Sequence, residues 1–312
     1  MGGVERAMGC GIGPLNGECL AGCRKFAENR IHVTPLIEIN DPRLSDPRVV
    51  IIDVRAGADA HQRYLAGHLA GALFADLDKD LSSKPADPAY GGRHPLPSLE
   101  NFAATLTRWG ITPDTHVVAY DDKGNAMGGA RLWWMLRAIG HRGPVQVVNG
   151  ALRAAVDAGV ALSTDDVRPV AAGSAYPVPG GYRGTVDIEE TGEAAQSEDR
   201  LVIDVREDAR YLGRTEPIDL IAGHIPGAGN LFLGKNMGAD GRYLPADALT
   251  KLYSDALGDV EPENVILHCG SGVSACHTLL GMASVGIDEP KLYVGSWSEW
   301  SRRGLPIATE QK

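Results

Sequence analysis

The chain has 312 residues, of which 44% are hydrophobic and 22% charged, a composition that is typical of globular proteins. At this length two cores of roughly 130 residues each are expected rather than one. Acidic residues outnumber basic residues by 40 to 30, and the formal charge of -10 argues against a nucleic acid or an anionic membrane as partner. Because no apolar run reaches the length of a membrane span and no signal-peptide pattern opens the chain, we predict a soluble, cytoplasmic protein.

Residues 1–30 hold three of the five cysteines, at Cys10, Cys19 and Cys23. Their spacing is not one of the paired patterns of zinc sites, and an odd number of cysteines fits reduced thiols better than a disulfide framework. We predict a loosely ordered N-terminal extension. A redox or metal role for the three thiols is the alternative.

Beyond residue 30 the chain repeats itself. An apolar run at 50–55 that ends in Asp-Val-Arg returns at 201–206, and an Ala-Gly-His segment at 66–68 returns at 222–224. Each copy alternates short β-branched runs with amphipathic stretches, the pattern of strands and crossover helices around a parallel sheet. We therefore predict an α/β fold with two tandem domains, each a parallel sheet flanked by helices.

We place the first domain at residues 31–166 and the second at 185–312. The segment 167–184 between them is rich in Ala, Gly and Pro and lacks either periodicity, so it is interpreted as a linker. The Asp-Val-Arg ending occurs in both copies, as Asp53 with Arg55 and as Asp204 with Arg206. This symmetry indicates structural ion pairs within each domain.

One segment of the second copy has the pattern of a nucleophile. A strand-like run at 265–268 leads to Cys269, and a loop with Gly270 and Gly272 follows before a helical stretch. Inward-pointing amides of such a loop, with the positive end of the helix dipole, stabilise an anion at the sulfur. The glycines let the loop curl around one atom. We predict that Cys269 is the nucleophile, the alternative being a small buried hydrophobic residue.

The sequence Cys-Gly-Ser-Gly-Val-Ser-Ala at 269–275 resembles the active loop of tandem-domain rhodanese-like sulfurtransferases, most closely the 3-mercaptopyruvate branch. Gly-Ser-Trp-Ser-Glu-Trp at 295–300 resembles the family's signature near the carboxyl end. The resemblance implies that Cys269 takes a sulfur atom from 3-mercaptopyruvate as a persulfide, releases pyruvate and passes the sulfur to a thiol or cyanide. A thioredoxin-like protein is one candidate acceptor. We predict no cofactor and no metal site.

The resemblance also implies roles for other residues. Substrate binding falls to the remaining loop residues (Gly270, Gly272, Val273 and Ser274) and to Arg210, which matches a substrate-binding arginine. A second arginine usually follows a Glu-Pro pair in this branch, but Ile218 stands there, and Arg214 is the candidate replacement. In the first copy Asp121 occupies the place of Cys269. Because an aspartate cannot accept sulfane sulfur, the first domain is predicted to be catalytically inactive and to form one wall of the site.

Members of this branch are thought to use a serine, a histidine and an aspartate to move protons around the substrate. Ser271, His68 and Asp59 match that pattern and are predicted to form such a relay across the two domains. The alternative is that His68 is a fold element, because His224 occupies the same place in the second copy.

Three rival functions remain to be weighed. Cysteine phosphatases place an arginine six residues after the cysteine, where this chain has Ala275, so that class is set aside. Thiosulfate:cyanide sulfurtransferases typically carry basic residues just after the cysteine, where this loop is neutral, and they remain the main alternative. A non-enzymatic rhodanese-fold binding module is disfavoured by Cys269.

Cys276, seven residues after Cys269, is interpreted as a residue that packs in the buried core.

Overall fold

The computed structural model describes residues 33–124, 127–170 and 173–310. The predictions made for Cys10, Cys19 and Cys23 concern residues outside these ranges. Within the ranges, no helix combines the length and apolar character that a membrane crossing requires.

The first half of the chain forms five strands and five α-helices in the described ranges. The strands are β1 (Leu36–Ile37), β2 (Val49–Arg55), β3 (Leu73–Asp76), β4 (His116–Tyr120) and β5 (Val145–Val148). The helices are α1 (Ala60–Ala66), α2 (Leu77–Asp80), α3 (Leu99–Arg108), α4 (Met127–Ala138) and α5 (Ala151–Asp157). A short 3-10 helix covers Pro42–Ser45.

The second half repeats this succession among the residues that the structure describes. Its strands are β6 (Thr185–Val186), β7 (Leu201–Asp204), β8 (Gly229–Asn230), β9 (Val265–His268) and β10 (Lys291–Tyr293). Its helices are α6 (Ile188–Ala194), α7 (Asp208–Tyr211), α8 (Ala246–Leu257), α9 (Ser274–Ser284) and α10 (Ser296–Trp300). Two 3-10 helices lie at Leu233–Asn236 and Pro262–Asn264.

Each half builds one five-stranded sheet in which all neighbouring strands are parallel. The strand order is β1-β5-β4-β2-β3 in the first sheet and β6-β10-β9-β7-β8 in the second, so the two sheets share one topology. The central strands are runs of β-branched residues whose inner positions, such as Ile52, Val117 and Ile266, are fully buried. Strands of this kind need helices on both faces of the sheet. The predicted α/β fold with two tandem parallel sheets is confirmed.

The repeated Asp-Val-Arg endings form the predicted ion pairs. Arg55 Nη2 lies 2.6 Å from Asp53 Oδ2, and Arg206 Nη2 lies 2.6 Å from Asp204 Oδ2, with all four side chains buried. Each arginine also donates to the carbonyl of the glycine that precedes the repeated histidine, Gly67 or Gly223. The pairs therefore tie the end of a central strand to the next loop in both halves.

Helices α4 and α9 bring the two halves together. Each follows the central strand of its own sheet, and the two helices pack directly against each other within one continuous hydrophobic core. The loops that lead into these helices start at Asp121 and Cys269, at the carboxyl ends of β4 and β9. In parallel α/β sheets ligands bind outside the carboxyl ends of the strands, so a binding site is expected beside these two loops.

Candidate active site

A cavity of about 420 Å³ lies at the carboxyl ends of β4 and β9 and is lined by both halves of the chain. The second half contributes Arg210 and, from the loop after Cys269, Gly270, Ser271, Val273 and Ser274. The first half contributes a different set, which includes Arg93, His94 and Asp121. The cavity is thus built from two domains.

Cys269 lies beneath this loop. Its side chain is 1% exposed and is not among the residues that line the cavity, whereas the residues that follow it are. The Gly-Ser-Trp-Ser-Glu-Trp segment holds it there, because the Cys269 amide donates to Ser296 Oγ at 3.2 Å and its carbonyl accepts from the Trp297 amide at 3.0 Å. A ligand in the cavity would therefore have to enter the loop to reach the thiol.

The loop offers backbone donors to a ligand. Gly272 has φ +72°, and a Cβ at this position would lie 2.5 Å from the Val294 carbonyl oxygen, so glycine is required for the close approach. Among the described residues no acceptor is paired with the amides of Gly270, Ser271 or Gly272. Helix α9 begins directly after the loop and adds the positive end of its dipole. These groups favour an anion inside the loop.

A serine and a histidine meet at the cavity, and an aspartate outside the cavity lining contacts the far side of the histidine. His94 Nδ1 lies 2.7 Å from Ser271 Oγ, and His94 Nε2 lies 3.1 Å from Asp78 Oδ1. Because a carboxylate only accepts, Nε2 carries the proton and the Nδ1 lone pair faces the serine hydroxyl. Burial lowers the pKa of His94 below its ordinary value of 6.5, although Asp78 opposes this shift. His94 is therefore neutral near pH 7 and able to take a proton from Ser271.

The predicted partners of Ser271 lie elsewhere. His68 is fully buried, its Nδ1 is 2.9 Å from the Tyr64 carbonyl oxygen, and its ring stacks on Tyr64. His224 makes the same contacts with Tyr211 in the second half. The two histidines thus occupy equivalent positions in the fold. This agrees with the alternative interpretation, in which His68 is a fold element. Asp59 is exposed and pairs with Arg63.

The internal repeat contains the signal that separates the two histidines. His68 returns as His224, whereas Gly-Arg-His at 92–94 returns as Gly-Arg-Tyr at 241–243. Likewise Leu-Asp-Lys at 77–79 returns as Leu-Gly-Lys at 233–235. Residues that serve a single reaction centre have no reason to be repeated, so this broken symmetry points to His94 and Asp78.

The two candidate substrate arginines are placed differently. Arg210 lines the cavity, where it donates to Glu216 at 2.7 Å and to Asp219 at 3.3 Å. Arg214 pairs with Glu310 at the surface, is about half exposed and does not line the cavity. The structure therefore brings only Arg210 to the loop.

Arg131 connects the first domain to the loop of the second. It lies in α4, is fully buried, and donates to the carbonyls of Gly272 at 2.9 Å, His94 at 3.0 Å and Leu81 at 3.3 Å. One guanidinium group thus holds the cysteine loop and the histidine loop in fixed relation.

In the described ranges, no group of three His, Cys, Asp or Glu side chains is arranged to hold a metal ion.

The first-domain loop differs in chemistry. Asp121 is buried, and its carboxylate accepts from the amides of Lys123 at 3.1 Å and Gly128 at 2.9 Å. Burial raises the pKa of Asp121 to about 6 despite these two hydrogen bonds. At the position equivalent to the thiol the loop therefore presents a carboxyl group.

Comparisons with known proteins agree with this architecture. The rhodanese-like domain family matches the chain twice, over residues 39–158 and 187–303. The chain is 38% identical over 280 residues to a probable 3-mercaptopyruvate sulfurtransferase from Pseudomonas aeruginosa, covering 86% of this chain and 94% of that protein. It is 39% identical over 272 residues to a putative thiosulfate sulfurtransferase from Mycobacterium tuberculosis, covering 85% and 90%.

Among solved structures, a 3-mercaptopyruvate sulfotransferase from Escherichia coli superposes with a TM-score of 0.71 and 28% identity, covering 86% of this chain and all of that one. Sequence and fold therefore agree over nearly the whole described part of the molecule. The chain belongs to the rhodanese-like family, with two rhodanese-like domains in tandem.

Proposed function

We propose that the protein is a sulfurtransferase that moves a sulfur atom from 3-mercaptopyruvate, through a persulfide on Cys269, to a thiol or cyanide acceptor. The observation that carries this choice of donor is the 2.7 Å contact between His94 Nδ1 and Ser271 Oγ. Thiosulfate loses its sulfur with sulfite as a stable leaving anion, which needs no proton. 3-Mercaptopyruvate leaves an enolate, which must gain one, and a proton relay serves that donor alone.

The first half-reaction forms the persulfide. The Cys269 thiolate attacks the donor sulfur, so an S–S bond forms as the C–S bond breaks, and its electron pair passes to the pyruvate enolate. One proton leaves the donor thiol and one reaches the enolate carbon. Ser271 and His94 carry this proton, while Asp78 holds the imidazole tautomer and stabilises the transient imidazolium. The products are a Cys269 persulfide anion and pyruvate.

The second half-reaction returns the enzyme to its starting state. An acceptor thiolate or cyanide attacks the outer sulfur of the persulfide and leaves with it, and the electron pair of the broken S–S bond restores the Cys269 thiolate. The amides of Gly270 and Ser271 stabilise the anion in both states. A small thiol or a thioredoxin-like dithiol fits this step, and reduced thiols of this kind suit a cytoplasmic location.

The first domain supports this reaction without a nucleophile of its own. Asp121 replaces the thiol, and residues 31–166 instead supply His94 and one wall of the cavity. Residues 185–312 supply the reactive loop. We take these as the two working domains, with 167–184 as the linker between them.

The test compares sulfur transfer from 3-mercaptopyruvate and from thiosulfate to cyanide, for the wild-type protein and for Cys269→Ser. We expect the wild type to prefer 3-mercaptopyruvate and Cys269→Ser to lose transfer from both donors, because a serine hydroxyl cannot hold sulfane sulfur. Equal rates for the two proteins would disprove the nucleophile. A strong preference for thiosulfate would retain the nucleophile and reverse the donor, as the name of the mycobacterial relative suggests for that protein.

A further inference from the structure

Three arginines in the described part of the chain have almost completely buried side chains. Two of them, Arg55 and Arg206, each pair with an aspartate of their own domain at 2.6 Å. The third, Arg131 in α4, donates only to three backbone carbonyl groups, and no carboxylate among the described residues pairs with it. A buried cation without a counter-ion is costly, so we expect an anion to form close to Arg131.

The ionisable side chains around Arg131 indicate which group becomes that anion. Burial lowers the pKa of Arg131, and the largest opposing effects come from negative charge on Cys276, Tyr182 and Cys269. Burial raises the pKa of Cys276 to about 12 and also raises the pKa of Tyr182, so both groups stay protonated at neutral pH. Of the three groups, Cys269 is the one whose loop amides favour an anion.

The contacts of Arg131 reach into the loop that follows Cys269. Its Nη1 donates to the Gly272 carbonyl at 2.9 Å, and Cys276 Sγ lies 3.4 Å from the same carbonyl oxygen. Arg131 is fully buried and does not line the cavity. Its charge therefore acts on the loop from the core of the protein and not from the side on which a donor binds.

We propose that Arg131 is the buried counter-charge of the sulfur anion at Cys269, both in the thiolate and in the persulfide. The inference rests on the proposed function, because it takes Cys269 as the nucleophile. Arg131 touches neither donor nor acceptor in this role and is a positioning residue for charge. The negative sulfur completes the ion pair that Arg131 lacks, as an aspartate does for each of the other two buried arginines. The first domain thus stabilises the nucleophile of the second before any donor binds.

Helix α4 also provides a matched control. Arg137 lies in the same helix and likewise reaches the second half, where its Nη1 donates to Asp288 Oδ1 at 3.0 Å. Both side chains of this pair are partly exposed to solvent, and neither residue lines the cavity. Removing the charge of Arg137 therefore breaks a contact between the halves and leaves the cysteine loop untouched.

The experiment compares Arg131→Gln, Arg131→Lys and Arg137→Gln by the ultraviolet absorbance of thiolate at pH 7. For each protein the absorbance of the same protein carrying Cys269→Ser is subtracted, which removes the contribution of the other cysteines. We expect Arg131→Gln to lower the Cys269 thiolate signal about tenfold, because the attraction of one buried cation is lost. Arg131→Lys keeps the charge and should retain at least about a third of the signal. Arg137→Gln should stay within about twofold of the wild type.

Sulfur transfer to cyanide is the second measurement. With each donor that the wild type accepts, kcat/KM should fall about tenfold in Arg131→Gln and return to within about threefold of the wild type in Arg131→Lys. A loss with 3-mercaptopyruvate alone would count against the proposal. It would show that Arg131 serves the proton relay through its contact with the His94 carbonyl and not the sulfur anion.

A wild-type thiolate signal in Arg131→Gln would overturn the proposal. An equal loss in Arg131→Gln and Arg131→Lys would overturn it as well, because the contacts of the side chain and not its charge would then matter. Should Arg131→Gln fail to fold, Arg131→Met takes its place with the same expectation. The thiolate measurement needs no donor, so it decides on Arg131 even if sulfur transfer persists in Cys269→Ser and the proposed function fails.

Discussion

The loops that begin at Asp121 and Cys269 occupy equivalent places in the two sheets, yet the groups that surround them differ in charge and in hydrogen bonding. In the first loop the carboxylate of Asp121 uses the amides of Lys123 and Gly128. Its surroundings add two more carboxylates, Asp122 and Asp53, which together with burial raise the pKa of Asp121 to about 6. Two amide donors do not offset these effects.

In the second loop the groups that face the turn are different. The guanidinium groups of Arg93 and Arg210 lie beside Gly270 together with the carboxylate of Asp219, and the loop amides have no acceptor among the described residues. The backbone turn alone therefore does not decide whether an anion is favoured. The charge of the residues that face the turn decides it, and in the second loop part of that charge comes from the other domain.

The largest effect is expected from His94→Ala, which removes the base that faces the second loop. Transfer from 3-mercaptopyruvate should fall by about a hundredfold to ten-thousandfold, the usual contribution of general acid–base catalysis. Transfer from thiosulfate should be nearly unchanged, because sulfite leaves without a proton. His61→Ala, an exposed histidine of the same domain, is the control.

The pH dependence of the rate, compared between the wild type and the same variant, is a second test of His94. Because the pKa of His94 lies below 6.5, the wild-type rate with 3-mercaptopyruvate should hold at neutral pH and decline only as the pH falls below 6.5 and the imidazole becomes protonated. His94→Ala should lack this decline. Equal losses with both donors would remove the relay from the mechanism.

A smaller effect is expected from Asp121→Asn, which tests the first loop. The folded pKa of about 6 exceeds the ordinary value of 3.8, so folding favours the protonated form. The stability that this group contributes is complete below pH 3.8 and is lost as the pH rises through 6. Asparagine has one acceptor oxygen for the two amides, so the pH dependence of the difference is the quantity to measure. Between pH 4 and pH 8 the free energy of unfolding of the wild type should fall by about 1 to 3 kcal/mol relative to that of Asp121→Asn.

Urea unfolding at pH 4, 6 and 8 measures this difference. Asp122→Asn is the control, since Asp122 pairs with Arg55 and Arg63 and its neutralisation should lower the stability at neutral pH. If the wild type gained stability relative to Asp121→Asn as the pH rose from 4 to 8, the first loop would favour an anion after all, and the contrast between the loops would fail.

The smallest effect is expected from Cys276→Ala in the second loop's helix. Burial raises the pKa of the Cys276 thiol to about 12, so this group stays protonated at neutral pH and cannot act as a second nucleophile. Rates with both donors should stay within about twofold, with a loss of stability of about 1 kcal/mol from the small space left behind. Loss of sulfur transfer in this variant would show that the second loop needs both thiols.

The fold and the reactive loop were accessible from the sequence because both are local patterns. Apolar runs such as Val49–Arg55 predict buried parallel strands, and the succession at 265–275 predicts a strand, a turn and a helix around one cysteine. Loop residues lie near the thiol because they are covalently close to it. For these features distance in the chain and distance in space agree.

The residues that reach the loop from the first domain could not be placed in this way. His94 and Ser271 are 177 positions apart, and their contact depends on how α4 packs against α9, which no local pattern encodes. His68 is also a histidine of the first domain, but its ring stacks on Tyr64. Arg93 could not be placed either, since only the packing of the halves brings its guanidinium group beside Gly270.

Two glycines with nearly equal positive φ angles lie where the halves pack together, Gly92 at +78° and Gly241 at +77°. A side chain on Gly92 would collide with the Gly295 carbonyl of the second half, and one on Gly241 would lie 2.6 Å from the Gly124 carbonyl of the first half. Each half thus packs one glycine-containing turn closely against the backbone of the other half. Under the proposed function, neither copy is then a complete catalyst, because the second half alone would keep the Cys269 thiol but lose His94, its acid–base partner.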